Sequence, residues 1–262
     1  MPELKYGGLL SGSVLFLAGL FGSETSFAIV SMEKLHFKQH QSGTSGAIKL
    51  STNLTGGNSE TERYTVDVQT QWHRPEFINL LLLGYDYGIS SGVRNINKRF
   101  IHLRHIHRIN DDLAWEAFGQ LEQNEFTRLS YRRLFGTGAR FEIAPSDRNQ
   151  AYLGAGAMQV EESIHTQTGY TDDGIFNTIR ANFYLLWRLQ ASKNYSLGSA
   201  LYYQPNISQL DDFRVLFDAS IKSVLTSNTS LTISYELEQA SQPPQGIKPV
   251  DTTFKAGITY KY

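Results

Sequence analysis

From about residue 44 to the last residue, apolar and polar side chains alternate with a period of two, and no other regularity in the chain lasts as long. The final ten residues state it most cleanly. Phe254, Ala256, Ile258, Tyr260 and Tyr262 share one parity, while Thr253, Lys255, Gly257, Thr259 and Lys261 share the other. Successive side chains of a strand point to opposite faces, so this segment is a strand with one apolar and one polar face. A sheet packed on a soluble core meets that description. So does the wall of a membrane barrel, whose last strand closes the sheet with aromatics at the membrane–water interface. Termini of soluble domains usually fray, and a strand that runs two-sided to a final tyrosine favours the barrel.

The same ten residues carry the spacing Lys255-x-Gly257-x-x-Tyr260-x-Tyr262. It resembles the C-terminal signal read by the bacterial outer-membrane assembly machinery. Gly257, Tyr260 and Tyr262 are therefore candidate recognition residues, and that machinery a candidate partner. The other end of the chain sets the compartment. Lys5 precedes an apolar run from Leu9 to Phe21, and Ser26-Phe27-Ala28 has the small-x-small form of a cleavage site. Residues 1–28 read as a secretory signal peptide and are set aside from the fold. Residues 29–43 show no clear period and read as a periplasmic tail, which leaves 44–262 for the barrel. Without Glu3, Lys5 and Glu24 the mature chain has equal numbers of basic and acidic residues, which argues against a nucleic-acid partner. There is no Cys, so neither disulfides nor thiolate metal sites hold the chain together. A mean hydropathy of -0.31 excludes a helical membrane protein but suits a wall in which alternate residues face lipid.

Period two and turn chemistry together predict about twelve strands, at 46–55, 61–73, 77–89, 98–109, 113–124, 126–143, 150–162, 176–190, 195–207, 212–225, 230–240 and 252–262. Gly56-Gly57-Asn58, Arg74-Pro75-Glu76, Asn110-Asp111-Asp112 and Pro145-Ser146-Asp147 are among the turns. Connections after even-numbered strands are predicted short, and longer ones follow odd-numbered strands at 90–97, 163–175 and 241–251. Short turns on one rim and longer loops on the other are the pattern of outer-membrane barrels. Trp72, Trp115 and Trp187 lie on the apolar parity near short-turn ends. With Tyr260 and Tyr262 they predict an aromatic belt at the periplasmic interface.

The opposite parity carries charge. Arg104, Glu116, Gln120, Arg132, Arg140 and Arg180 all fall on it, and they are the candidate lumen-lining residues. Buried charges need partners, so these side chains must line water or pair across a lumen. A barrel of about twelve strands has a radius near ~12 Å, and long side chains reaching inward leave a narrow interior.

The runs Asn97–Arg104, Trp115–Gln120, Arg132–Arg140 and Leu153–Gly156, with Glu161-Glu162 and the Gly57-Asn58 turn, resemble the salt-induced outer membrane proteins (YdiY-like). The resemblance implies a Gram-negative outer-membrane barrel of undefined biochemical role, with no substrate or catalytic residues to carry over.

Among residues that could carry chemistry, His105 and His107 share a face at i, i+2. That face is the apolar one, and an interfacial role outweighs metal binding. His102 points with Arg104 into the lumen. His165, near Ser163, Asp172 and Asp173, is the one nucleophile–base candidate. The expectation is therefore a non-enzymatic outer-membrane barrel without cofactor, embedded in the lipid bilayer. Its narrow charged lumen would serve ions or small solutes, or an osmotic or salt response of the envelope. A lipid-modifying enzyme and a sealed structural or surface-interaction barrel are the alternatives.

Overall fold

In the computed structural model, which describes residues 42–55, 60–146 and 148–262, twelve antiparallel strands close into one barrel. They are β1 (Gly43–Thr55), β2 (Thr61–His73), β3 (Phe77–Ser90), β4 (Val93–Arg108), β5 (Leu113–Asn124), β6 (Leu129–Pro145), β7 (Asn149–Ile164), β8 (Gly174–Gln190), β9 (Tyr195–Asn206), β10 (Gln209–Val224), β11 (Thr229–Ala240) and β12 (Val250–Lys261). Each strand pairs with its neighbours in sequence, and β12 returns to β1 with Lys261 opposite Ala47 and Ile258 opposite Leu50. Closure leaves no strand edge to pair with another chain. The predicted signal peptide, residues 29–41 of the predicted tail and the Gly56-Gly57-Asn58 turn lie outside the described residues.

The alternation is what makes these segments strands. In β2, Tyr64, Val66 and Trp72 face outward and are exposed, while Thr65, Gln69 and Gln71 face inward and are buried. The outside of the barrel carries large apolar side chains on every side, from Leu83 and Phe135 to Phe183, Leu201 and Phe254, the last 71% exposed. A water-facing surface of that kind would aggregate; hydrocarbon is the solvent it fits. No helix of the described residues is long and apolar enough to cross a membrane. The strands, 12 to 17 residues long, exceed the length that a tilted strand needs to do so.

Both ends of the barrel chain and the connections 74–76, 109–112, 146–148, 191–194 and 225–228 lie on one rim, here the terminal rim. The opposite, distal rim bears 91–92, 125–128, 165–173, 207–208 and 241–249. Here the loop reading needs a correction. The connection placed at 90–97 is the two residues Ser91 and Gly92, with φ of 49° and 76°, and β4 runs on through Arg94 to Asn97. Two positive φ values make the tight hairpin whose twist matches the strands it joins. The polar run that follows looked like a loop because strand residues at a rim have no lipid to face. The two long connections are 165–173 and 241–249, and both are on the distal rim.

The seam where the barrel closes relies on two glycines. At Gly46 a Cβ would stand 2.2 Å from the Tyr262 ring, which lies across β1 so that its hydroxyl meets Thr70 Oγ1 at 2.8 Å on β2. At Gly257 a Cβ would come within 2.9 Å of the Leu50 backbone oxygen. β12 can approach β1 there because the side chain is missing.

Candidate functional site in the barrel interior

The inward positions divide the barrel into two sectors. Across β3 to β8 they are large. Ile78, Leu80 and Leu82 of β3 pack with Ile106, Tyr152, Tyr184 and Leu186, and the cluster extends to Tyr202 and Leu216. Phe118, Met158 and Val160 form a second cluster beside it. The uniformly polar interior expected from the sequence is therefore incomplete: an apolar and aromatic plug fills this side. Part of the signal was present, since Leu80-Leu81-Leu82-Leu83 is apolar on both parities and so cannot have one polar face.

Charges inside the plug are paired. Arg104, on β4, donates to Glu116 Oε2 on β5 at 3.0 Å, and Glu116 also accepts from the Tyr184 hydroxyl at 2.9 Å. The Arg104 guanidinium lies 4.6 Å from the Phe118 ring centre, held by the ring face as well as by the carboxylate. His102 bonds Gln120 Oε1 through Nδ1 at 3.1 Å, and Gln120 donates to Glu122 at 3.2 Å. Because Gln120 Oε1 can only accept, His102 carries its proton on Nδ1. Arg140 stacks over Tyr152 at 4.0 Å. All six residues singled out from the sequence are buried on the inward face.

Toward the distal rim the interior becomes a layer of ion pairs. Arg132, 2% exposed, binds Glu122 at 3.1 Å and also Glu162. Glu162 in turn receives both terminal guanidinium nitrogens of Arg214 at 2.7 Å, from β10, three strands away. Arg180 donates from Nη2 to both carboxylate oxygens of Asp212, at 2.8 and 2.7 Å. Arg63 grips Asp86 at 3.0 and 2.6 Å, and Lys255 meets Glu236 at 3.0 Å. Two-pronged arginine contacts fix both partners in one plane, and several such contacts at one level make a rigid crossbar.

Above the layer, Arg128 ties the distal loops together. Its φ of 60° is unusual for a residue with a side chain, and turns the guanidinium toward Asp172 Oδ1 at 2.7 Å and the Gln245 carbonyl at 3.0 Å. It also lies 4.6 Å from the Tyr170 ring. Loops 165–173 and 241–249 are thus fastened to one another and to the start of β6. Burial pushes the Asp172 carboxyl up, but the Gln245 N–H and Arg128 outweigh it and hold the group below the usual carboxylate range.

The other sector, from β9 through β12 to β1 and β2, is open. Toward the terminal rim many of its inward positions are small, among them Ala47 on β1, Gly198 on β9, Ser220 on β10, Thr232 and Ser234 on β11 and Thr259 on β12, while Tyr202 and Leu216, farther along β9 and β10, belong to the plug. They leave a vestibule of about 520 Å³ that opens at the terminal rim. It narrows toward Glu236, beyond which a cavity of about 20 Å³ continues beside Arg63, Asp86 and Lys255.

This arrangement can now be set against known proteins. The family described as "Protein of unknown function, DUF481" matches residues 48–262. The chain belongs to that family. No protein of curated function matches its sequence. Among solved structures, an outer membrane channel from Pseudomonas putida F1 superposes with a TM-score of 0.51 at 12% identity, covering 90% of this chain and 99% of the other. The NanC porin gives 0.47 at 8% identity (84% and 100% covered). The KdgM porin in complex with disordered oligogalacturonate gives 0.43 at 11% (82% and 99%). At such identities the likeness concerns fold: this member of DUF481 is a twelve-stranded outer-membrane-type barrel.

The remaining sequence candidates sit at the two rims of this DUF481 barrel. Trp72, Trp115, Trp187, Tyr260 and Tyr262 are all exposed on the outer face. Trp115 donates to Thr137 Oγ1 and Trp187 to Asn149 Oδ1, both at 2.8 Å, so each indole keeps a partner while its ring faces outward. His105 stands between Phe77, His107 and Trp115 on the same outer wall and bonds Asn79 at 2.8 Å. At the distal rim, Asp172 is engaged by Arg128 and Gln245 and Asp173 accepts from Thr166 at 2.9 Å. Both acids beside His165 are thus taken up in loop contacts. Asp212 and Arg214, which complete the crossbar, were not singled out from the sequence, because their partners lie on other strands at no regular spacing.

Proposed function

We propose that this protein is a Gram-negative outer-membrane barrel that acts, without catalysis, as a narrow charged channel for ions or small hydrophilic solutes and is ordinarily held shut by ion pairs. The exposed apolar wall supports the membrane setting, and the short turns of the terminal rim support a periplasmic orientation for that rim. One observation carries the channel reading. In the open sector the vestibule ends against paired charges, Lys255 with Glu236 and Arg63 with Asp86, and not against the apolar plug. An apolar seal must be dewetted or unpacked, whereas an ion pair at the end of a water-filled vestibule can part by exchanging one charged or hydrated partner for another.

Planar-bilayer recording of the purified full chain tests this. The wild type should give a small, intermittent conductance, and the double variant Lys255→Ser, Glu236→Ser a larger and steadier one. Silence from both would remove the channel reading. The latched loops over the distal rim favour a second one, a closed barrel that works through its surface, and that silence would leave it standing. A role in salt response rests on the family resemblance alone.

A further inference from the structure

The vestibule gathers charges that have no counterpart. In the plug and the crossbar each arginine discussed meets a carboxylate or an aromatic face. Arg188, Lys222 and Lys261, by contrast, converge on the vestibule mouth, where Lys222 feels the like charges of the other two. Among the described residues none of the three enters an ion pair with a carboxylate. Arg188 bonds the side-chain oxygens of Gln150 and Gln190, which are neutral. Three carboxylates line the same cavity deeper in, Asp67, Asp218 and Glu236, and Glu236 is paired with Lys255. Asp218 is 4% exposed, and its Oδ1 has no hydrogen-bond partner.

Unpaired charges are costly to enclose, and like charges at one mouth repel, so this cavity destabilises the empty barrel. The arrangement is complementary to a solute with the reverse polarity: negative at the mouth, positive within. Asp218 and Lys222 lie on the same face of β10 four residues apart, which sets their Cα atoms about 13 Å apart along the strand. Side chains stand roughly perpendicular to the sheet, so the charged ends keep about that spacing, and a molecule about 10 Å long, the length of three extended residues, fits between them with room for its contacts. Serine, threonine and glutamine side chains, including Gln69 and Gln71, stand along the walls between and offer hydrogen bonds.

We propose that the vestibule is a binding site for a small hydrophilic zwitterion, its anionic end held by Arg188, Lys222 and Lys261 at the mouth and its ammonium end by Asp218 within. The site does not depend on conduction, since binding is read on the purified barrel in detergent.

The test is titration calorimetry with tri-alanine, with N-acetyl-tri-alanine and inorganic phosphate as comparison probes. Tri-alanine should bind the wild-type full chain with a Kd of about 1 mM or tighter. The acetylated peptide, which keeps the carboxylate and loses the ammonium, should bind about tenfold more weakly, and phosphate no better than the acetylated peptide. The double variant Lys222→Gln, Lys261→Gln should weaken both peptides about tenfold, and Asp218→Asn should abolish the preference for the free amine. Arg94→Gln, on the distal rim, should bind as wild type. The proposal is overturned by any of three results: no tri-alanine binding to the wild type, equal binding of the two peptides, or unchanged binding by the folded lysine variant. The comparison of the two peptides needs no substitution, so the proposal stays testable even where a variant does not fold.

Discussion

Two sectors of one barrel wall obey the same strand alternation and reach opposite ends. Between β3 and β8 the inward positions hold leucine, tyrosine, phenylalanine and methionine, which meet across the axis and exclude water. Between β9 and β2, toward the terminal rim, many of them are glycine, alanine, serine and threonine, and the same wall encloses a vestibule of about 520 Å³. Strand number fixes the diameter of a barrel, but inward side-chain volume decides whether that diameter is a core or a cavity. Charge follows volume. Where the interior is filled, ionised groups pair, because an unpaired charge cannot stay in a dry medium. Where it opens to the vestibule, like charges gather without a carboxylate partner, as Lys222 does beside Lys261 and Arg188.

The largest effect that would break this comparison is loss of a charge on the filled side. Arg132→Ala takes from Glu122 and Glu162 the guanidinium they share and leaves Arg214 on Glu162. Breaking a buried pair by removing one partner costs about 3–5 kcal/mol, and urea unfolding of the lipid-embedded barrel should register a loss of that order. A variant that unfolds like the wild type would mean that water already reaches the crossbar.

Adding volume sharpens the contrast. On the filled side Gly156 faces β6 so closely that a Cβ would stand 2.3 Å from the Thr137 carbonyl oxygen, which is backbone and cannot swing away. Gly156→Leu should therefore cost at least the ~1–3 kcal/mol of an overpacked core. Ser220→Leu, on the open side, enters the vestibule and should change stability by less than ~0.5 kcal/mol. It should also lower any conductance, as seen in the same bilayers. Equal destabilisation by both would show that the two sectors are packed alike.

The wall was legible in the chain; the interior was legible in part. Strands could be read because lipid demands an apolar residue at every second position, as in Phe254, Ala256 and Ile258, and because glycine, asparagine and proline mark the turns between. The signal fails where the demand stops. At the distal rim, Arg94 to Asn97 belong to β4 but face no hydrocarbon, and so read as loop. Within the lumen, alternation identifies a residue as inward but says nothing of its partner. Arg214 meets Glu162 across 52 residues, and Arg128 meets Gln245 across 117. Those contacts follow from the curvature of the closed sheet, and no spacing along the sequence encodes that.

The smallest predicted effect concerns the distal latch, which ties the filled sector's rim to the loop that leads into β12. Asp172 is held below the usual carboxylate range, so its folded pKa lies beneath its unfolded one. A depressed carboxylate contributes its stability above the unfolded pKa, about 3.9, and loses it as pH falls through the lower folded value. Asp172 is partly exposed, which limits the contribution to under ~1 kcal/mol. Loops 165–173 and 241–249 should therefore stay closed down to pH about 4 and loosen in stronger acid. Pepsin, active throughout that range, should cut the wild type faster relative to Asp172→Asn as pH falls, because the variant has no carboxylate to protonate. If the ratio of the two cutting rates stays constant with pH, the carboxylate does not hold the loops, and Arg128 fastens them through the Gln245 carbonyl and Tyr170 alone.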